Sequence, residues 1–360
     1  MDPLTQGLLG AVTAQLGFRQ RIGSASATWL AAGAAMAADL DIFAGAVLRL
    51  VGDRGGGSAL WRYHRGISHS LFVAPLIALL VAVPWWLWRR RKARDGPPAP
   101  SLGLLVACLA LAALSHVFLD WCTSYGTQVL APFSDRRFAL DAIAIIDIIF
   151  TPILLATVLA CWVVRRRGGG RSGRATVVIA SVGLALSMGY IAGGLVLRAR
   201  AVRRAREFAR TQSSARILDV QAYPYLGTVL LWRATVQFED GWLAARIRPM
   251  GGAAIRSNAV AKVDNVFVRR ARRLEQVQTY AWFANGQLRA QYRTDGPRHV
   301  VELHDMRYAP SPDSLESLWP VRVTFSGDGH VIGIERLRSP QRRKPFGQFV
   351  TDVWREITSP

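Results

Sequence analysis

Hydrophobic and polar positions divide this chain into two regimes. The first 200 residues carry long uncharged runs, and the remainder carries short alternating ones. Four runs are long enough to cross a bilayer as helices: Ile67–Trp88, Ser101–Leu119, Ala142–Val164 and Ala175–Leu197. Asp147 is the one charge inside them. Two shorter uncharged runs, Pro3–Phe18 and Ile22–Ala38, are rich in Ala and Gly, residues that let membrane helices approach closely. They read as a tight hairpin, so the first part is expected to be a bundle of about six membrane helices, residues 1–200.

Beyond Glu207 the apolar runs shrink to strand length. Thr228–Phe238, Trp242–Ile247, His299–Leu303, Val321–Phe325 and Val331–Arg336 read as strands. Gly327-Asp328-Gly329 reads as a hairpin turn, and Val263–Tyr280 has helical apolar spacing. The fold expectation is therefore a mostly α membrane bundle (1–200) followed by a small, β-rich α+β domain outside the membrane (207–360).

Charge sharpens the topology. The net charge is +21. In a soluble chain that balance would suggest nucleic acid, but much of it abuts apolar segments, so membrane orientation and anionic lipid account for it and no nucleic-acid partner is expected. If six helices alternate, Arg19, Arg21, Arg89, Arg90, Arg91, Lys92, Arg94, Arg165, Arg166, Arg167, Arg171 and Arg174 share one face. The opposite short loops hold Arg49, Arg54, Arg62, Arg65, Arg136 and Arg137. The positive-inside rule places the richer face in the cytoplasm. The arginines from Arg198 to Arg210 follow the last helix on the other side, which a long translocated domain tolerates. The basic stretch Gln341-Arg-Arg-Lys-Pro reads as a tail or lipid-facing strip. The start Met-Asp-Pro lacks a basic leader, so no signal peptide is expected.

That orientation gathers Asp2, Asp39, Asp41, His64, His69, His116, Asp120 and Asp141 at the non-cytoplasmic face. His116 and Asp120 are i, i+4, so one helical face presents an imidazole and a carboxylate, half of a divalent-metal site; the plainer alternative is a capping pair. His64 and His69 stand five apart, about 140° of helical rotation, so they do not share a face. The expected solution has His64 in a loop, Gly66 permitting the bend, and His69 in the first helical turn. Arg65 is placed to steady an anion, or else the group meets lipid headgroups. Asp39 and Asp41, two apart, suit a metal-binding loop or form a plain hydrophilic helix end. Asp147, inside an apolar run, is expected to pair with Arg136, Arg137 or a ligand histidine. His304, Asp305 and His330 read as ordinary strand or surface residues. Cys108, Cys122 and Cys161 have no metal-type spacing. No GxSxG, P-loop, GxGxxG or HExxH motif competes.

At Met1–Gly10, Ala38-Asp-Leu-Asp41, His64-Arg-Gly-Ile-Ser-His-Ser70, His116-Val-Phe-Leu-Asp120, Tyr125-Gly-Thr127 and Pro132, the chain resembles the YdjM-like family of membrane-bound, metal-dependent hydrolases. The resemblance implies His and Asp ligands for a divalent metal, zinc in the expected case. The arrangement is also similar to zinc phospholipase C and related zinc nucleases. Some relatives carry His where this chain has Gln6.

The expected ligands are Asp41, His64, His69, His116 and Asp120, with Asp39 as bridging ligand or general base. Arg65, with Arg136 or Arg137, would hold a phosphate. The expected reaction is hydrolysis of a phosphoester in a lipid or lipid-linked substrate, at the bacterial inner membrane. The rivals are a non-enzymatic membrane protein with a structural metal or ion-pair site and a partner-binding outer domain, and a metal transporter.

Overall fold

The computed structural model describes residues 1–23, 25–43, 58–92, 99–168, 172–251, 254–337, 347–348, 351 and 354–355. Arg49, Arg54, Arg94, Arg171 and the 341–345 stretch lie outside the described residues. The chain forms two compact units, Met1–Gly52 with Tyr63–Gly193, and Asp53–Arg62 with Gly194–Pro360.

The first unit is helical. It contains α1 (Pro3–Gln15), α2 (Phe18–Ile22), α3 (Ser26–Ala37), α5 (Ala74–Lys92), α6 (Leu102–Trp121) and α7 (Phe150–Arg167). The short α4 (Ser58–Tyr63) and the long α8 (Ser172–Gln212) each straddle the division between units. Two 3-10 turns, Ala38–Phe43 and Ile67–His69, complete the set. Asp2 starts α1: its Oδ1 accepts from Thr5 N at 3.0 Å, and Pro3 supplies a preset first position.

Small residues bring the helices together. A Cβ added at Gly10 would collide with the Ala31 carbonyl and the Ala35 methyl, so α1 and α3 touch backbone to backbone. Ala74, Ala78 and Ala82 form a buried i, i+4, i+8 stripe on α5. Ala78 and Ala82 join Ala112, Leu105, Leu109 and the α3 alanines in the main core, while Ala74 packs with Ala113, Val117 and Val129.

Among the described residues, α6 and α8 are long and apolar enough to cross a membrane by themselves. The segment Trp61–His69 with α5 adds a third candidate, bent by 67°. All six expected segments are helical at least in part, but α1 and α3 have 13 and 12 residues, well short of the ~20 a span needs. The structure therefore gives two to three candidate spans where the sequence suggested about six. The Ala142–Val164 run also differs: α7 begins only at Phe150. Asp147 is the reason, because its Oδ1 accepts from the Ile149 and Phe150 N–H groups at 2.9 Å each. It caps a helix, and its side-chain partner is the Tyr190 hydroxyl at 2.9 Å.

The second unit holds two four-stranded antiparallel meanders. One is β1 (Ile217–Pro224), β2 (Trp232–Phe238), β3 (Gly241–Ile247) and β4 (Arg256–Ala261). The other is β5 (Leu288–Asp295), β6 (Arg298–Asp305), β7 (Val321–Phe325) and β8 (Val331–Arg336). Helices α9 (Val266–Arg272) and α10 (Glu275–Phe283) connect them, so the expected Val263–Tyr280 helix is broken after Arg272. Trp61 stacks on Tyr280 at 4.6 Å within this unit. Its core also encloses an ion pair, Arg307 to Asp305 at 2.8 Å.

Candidate functional site

Three segments of the first unit supply the polar cluster. Helix α6 places His116 and Asp120 on one buried face, and both are fully inaccessible. The turn Ile67–His69 places His69, also fully buried. The turn Ala38–Phe43 places Asp39 and Asp41, whose side chains are 12% and 9% exposed. A 3-10 turn advances ~120° per residue, so carboxylates two positions apart point in different directions. Asp39 faces His69 and His116, whereas Asp41 faces His64 and Ser68.

One donor atom from each of Asp39, His69, His116 and Asp120 lies within 4.8 Å of the other three. His69 Nε2 stands 3.3 Å from Asp39 Oδ1 and 3.2 Å from Asp120 Oδ2. His116 Nε2 stands 3.4 Å from Asp120 Oδ2 and 3.7 Å from Asp39 Oδ1. A tetrahedral ion with bonds of about 2.0–2.2 Å holds neighbouring donors about 3.3–3.6 Å apart, and these four edges bracket that spacing. Neither ring nitrogen of His116 makes a hydrogen bond, nor does Asp39 Oδ2, although all are buried. Buried polar atoms left in this state call for a partner. The residues fit a divalent cation.

A second layer orients these four. His69 Nδ1 meets Ser68 Oγ at 2.9 Å and Asp41 Oδ2 at 3.2 Å, the carboxylate–imidazole pairing that fixes a ligand ring. Asp41 Oδ2 also accepts from Ser68 Oγ at 2.6 Å and from the Arg65 N–H at 3.0 Å, and Oδ1 meets His64 Nδ1 at 2.7 Å. Burial would raise the Asp41 carboxyl, but the hydrogen bonds from His64 and His69 outweigh it and hold it well below the ordinary range. Asp39 is likewise lowered: burial pushes it up, and the His69 hydrogen bond and the nearby His116 prevail.

Asp120 is clamped on its other side. Arg65 Nε lies 3.0 Å from Oδ2, Gln6 Nε2 donates to Oδ1 at 3.0 Å, and the Met1 amino group ion-pairs with Oδ1. Arg65 is 3% exposed, donates to Thr123 Oγ1 at 2.7 Å, and lies over the Tyr125 ring at 4.8 Å. Its φ of +59° is a left-handed conformation that costs a non-glycine residue of order 1 kcal/mol, so the surrounding bonds hold it in place.

The sequence-expected residues thus separate. Asp39, expected as bridge or base, stands among the candidate ligands. Asp41 and His64, expected as ligands, stand behind His69. His69 occupies a 3-10 turn before α5, not its first turn. Arg65 is taken up by Asp120, and Arg137 is buried with its guanidinium donating to Gly126 O at 2.6 Å, while Arg136 is exposed. Asp2 serves as a helix cap. Gln6, inside the resembling stretch Met1–Gly10 and standing where some relatives carry His, touches the centre through Asp120.

Fold and site define a helical membrane protein with a buried two-histidine, two-carboxylate cluster suited to a metal ion, followed by an antiparallel β-sheet domain. The chain belongs to the YdjM inner membrane protein family, whose model matches residues 1–200. It is also 30% identical over 159 residues to the uncharacterized protein YfhP of Bacillus subtilis (strain 168). That match covers 44% of this chain and 43% of YfhP. No solved structure matches.

Proposed function

We propose that this protein is a membrane-bound, metal-dependent hydrolase acting on a phosphoester of a lipid or lipid-linked substrate. The observation that carries the reading is the spacing of Asp39, His69, His116 and Asp120 around a common point, with His116 otherwise lacking hydrogen bonds. Zinc suits this nitrogen and oxygen set. Held by these four residues, a divalent ion would lower the pKa of a bound water and so provide a nucleophile at neutral pH.

The chain's own groups do the rest. Asp41 and Ser68 hold the His69 ring by Nδ1, and Arg65 and Gln6 hold Asp120. His64, bonded through Nδ1 to Asp41 and 17% exposed, leaves Nε2 to take or return a proton. The exposed Arg136 is the guanidinium left to meet a phosphate. In this reading α1, α3, α5, α6, α7 and α8 form the six-helix bundle, and the cluster and C-terminal domain face the non-cytoplasmic side.

One observation favours a structural metal instead: four protein donors close a tetrahedral set, and three are fully buried. Metal analysis of wild type and His116→Ala, joined to a phosphodiesterase assay, separates the two. Hydrolysis that depends on bound metal supports the enzyme. Stoichiometric metal without hydrolysis of any phosphoester supports the structural site, and no metal in wild type removes both.

A further inference from the structure

We propose that the turns carrying the cluster form an apolar collar seated in the bilayer interface, so that the cluster is entered from the membrane. The pattern lies in the residues themselves. In Asp39-Leu-Asp-Ile-Phe43 the acids turn inward while Leu40, Ile42 and Phe43 are exposed. In Ile67–Phe72 the buried His69 and Ser70 lie between exposed Ile67, Leu71 and Phe72. Phe133, at 79%, is the most exposed phenylalanine among the described residues, and it packs edge to face against Phe72 at 5.1 Å. The Leu71 N–H donates to Val129 O at 3.0 Å, which ties the Phe133 loop to the His69 turn.

Exposed apolar side chains gathered on the turns that carry a buried charged cluster are costly in water and mark a contact surface. Continuity names the occupant. Phe72, Leu76 and Leu80 follow one another at four-residue intervals, and Leu87 extends the line along α5. The collar therefore runs directly into a strip facing outward from a candidate spanning segment. Arg136, three residues after Phe133, is exposed and lies over Phe138 at 5.1 Å, an aromatic–arginine arrangement that suits a headgroup layer.

The solvent access that the cluster has lies on the same turns. His69, His116 and Asp120 have no accessible side-chain surface, whereas Asp39, Asp41 and His64 do. Two of these three share their turn with Leu40, Ile42 and Phe43. Resting on the hydrolase reading, the substrate class follows: a bilayer amphiphile whose phosphoester lies at headgroup depth while its chains stay in the membrane.

Collision-accessibility EPR on the full chain in phosphatidylcholine–phosphatidylglycerol nanodiscs tests this. Nitroxides are attached at Leu40→Cys, Phe72→Cys and Phe133→Cys. Leu80→Cys serves as hydrocarbon reference and Glu239→Cys as aqueous reference. The native thiols are buried, and the unsubstituted protein sets the background. Oxygen collisions exceeding those of a water-soluble nickel chelate at all three collar sites are expected. Collar sites that behave like Glu239→Cys overturn the proposal. Metal content of the same preparations keeps the readings apart. A collar in lipid without metal supports the interface and removes the hydrolase; metal with a collar in water removes the interface and leaves the hydrolase to be decided by the phosphodiesterase assay.

Discussion

Replacing Asp41 by asparagine removes a charge while keeping the side-chain shape. Asp41 touches the candidate ligands only through His69, with Oδ2 3.2 Å from Nδ1. An amide there keeps an acceptor for the Arg65 N–H and Ser68 Oγ by turning its NH2 toward His64 Nδ1, so the main loss is the negative charge behind the His69 ring. Loss of such a supporting carboxylate weakens metal binding about 10–100-fold, or about 1.4–2.7 kcal/mol. Removing a direct ligand costs more. Dividing the ~10–16 kcal/mol of a four-ligand zinc site equally gives about 2.5–4 kcal/mol each, a loss of about two to three orders of magnitude. Asp39→Asn, His116→Ala and Asp120→Asn should therefore bind at least several-fold more weakly than Asp41→Asn. Competition against a chromophoric chelator, in detergent at fixed pH, reads all four affinities. If Asp41→Asn loses metal as completely as Asp120→Asn while Asp39→Asn is mild, then Asp41 is the ligand and Asp39 its support, and the assignment above is refuted.

Three further outcomes are expected. In the β domain, Asp305→Asn or Arg307→Gln removes one partner of a buried ion pair and should cost about 3–5 kcal/mol, seen as a lowered thermal midpoint by near-ultraviolet circular dichroism; a shift under about 1 kcal/mol would contradict the pairing. Burial, helped by Arg289, pushes His304 down to about 3 from 6.5. Folded His304 thus stays neutral where the unfolded chain takes up a proton, so stability is complete above pH 6.5 and falls as pH drops toward 3. By pH 5 the loss is about 2 kcal/mol, and hydrogen exchange of β6 amides should accelerate from pH 7 to 5, after correction for intrinsic rates, less in His304→Asn than in wild type. Gly10→Leu should abolish a monodisperse detergent-solubilised protein in size-exclusion chromatography, because its Cβ meets the α3 backbone, whereas Gly33→Ala, with open space around it, should elute as wild type.

Much of the architecture was written in periodicity. Val321–Phe325 and Val331–Arg336 were legible residue for residue, because each pairs apolar alternation with flanking turn residues. Strands β1, β4 and β5 were not: Arg256–Ala261 is a mostly exposed edge with little alternation to detect. The His116–Asp120 pairing followed from helical spacing alone, since both occupy one continuous helix. The division of labour between Asp39 and Asp41 did not, because it depends on the rotation of a 3-10 turn that no hydrophobic period announces. Asp147 misled for a related reason. An acid within an apolar run looks like a membrane charge until the chain proves to be irregular there and to need a cap. Arg65 looked available for a phosphate, and only its contacts with Asp120 and Thr123 show that its guanidinium is already occupied.

The cluster draws on a turn at residue 39, a turn at residue 69 and a helix that ends at residue 121. No two of these segments supply all four donors, so the full set of the candidate centre exists only when all three are present. It comes into being only when α6, which carries two of the donors, has packed beside α1 and α3. An ion bound by all four donors would therefore be acquired only after α6 is in place, and until then Asp39 and His69 stand without their α6 partners.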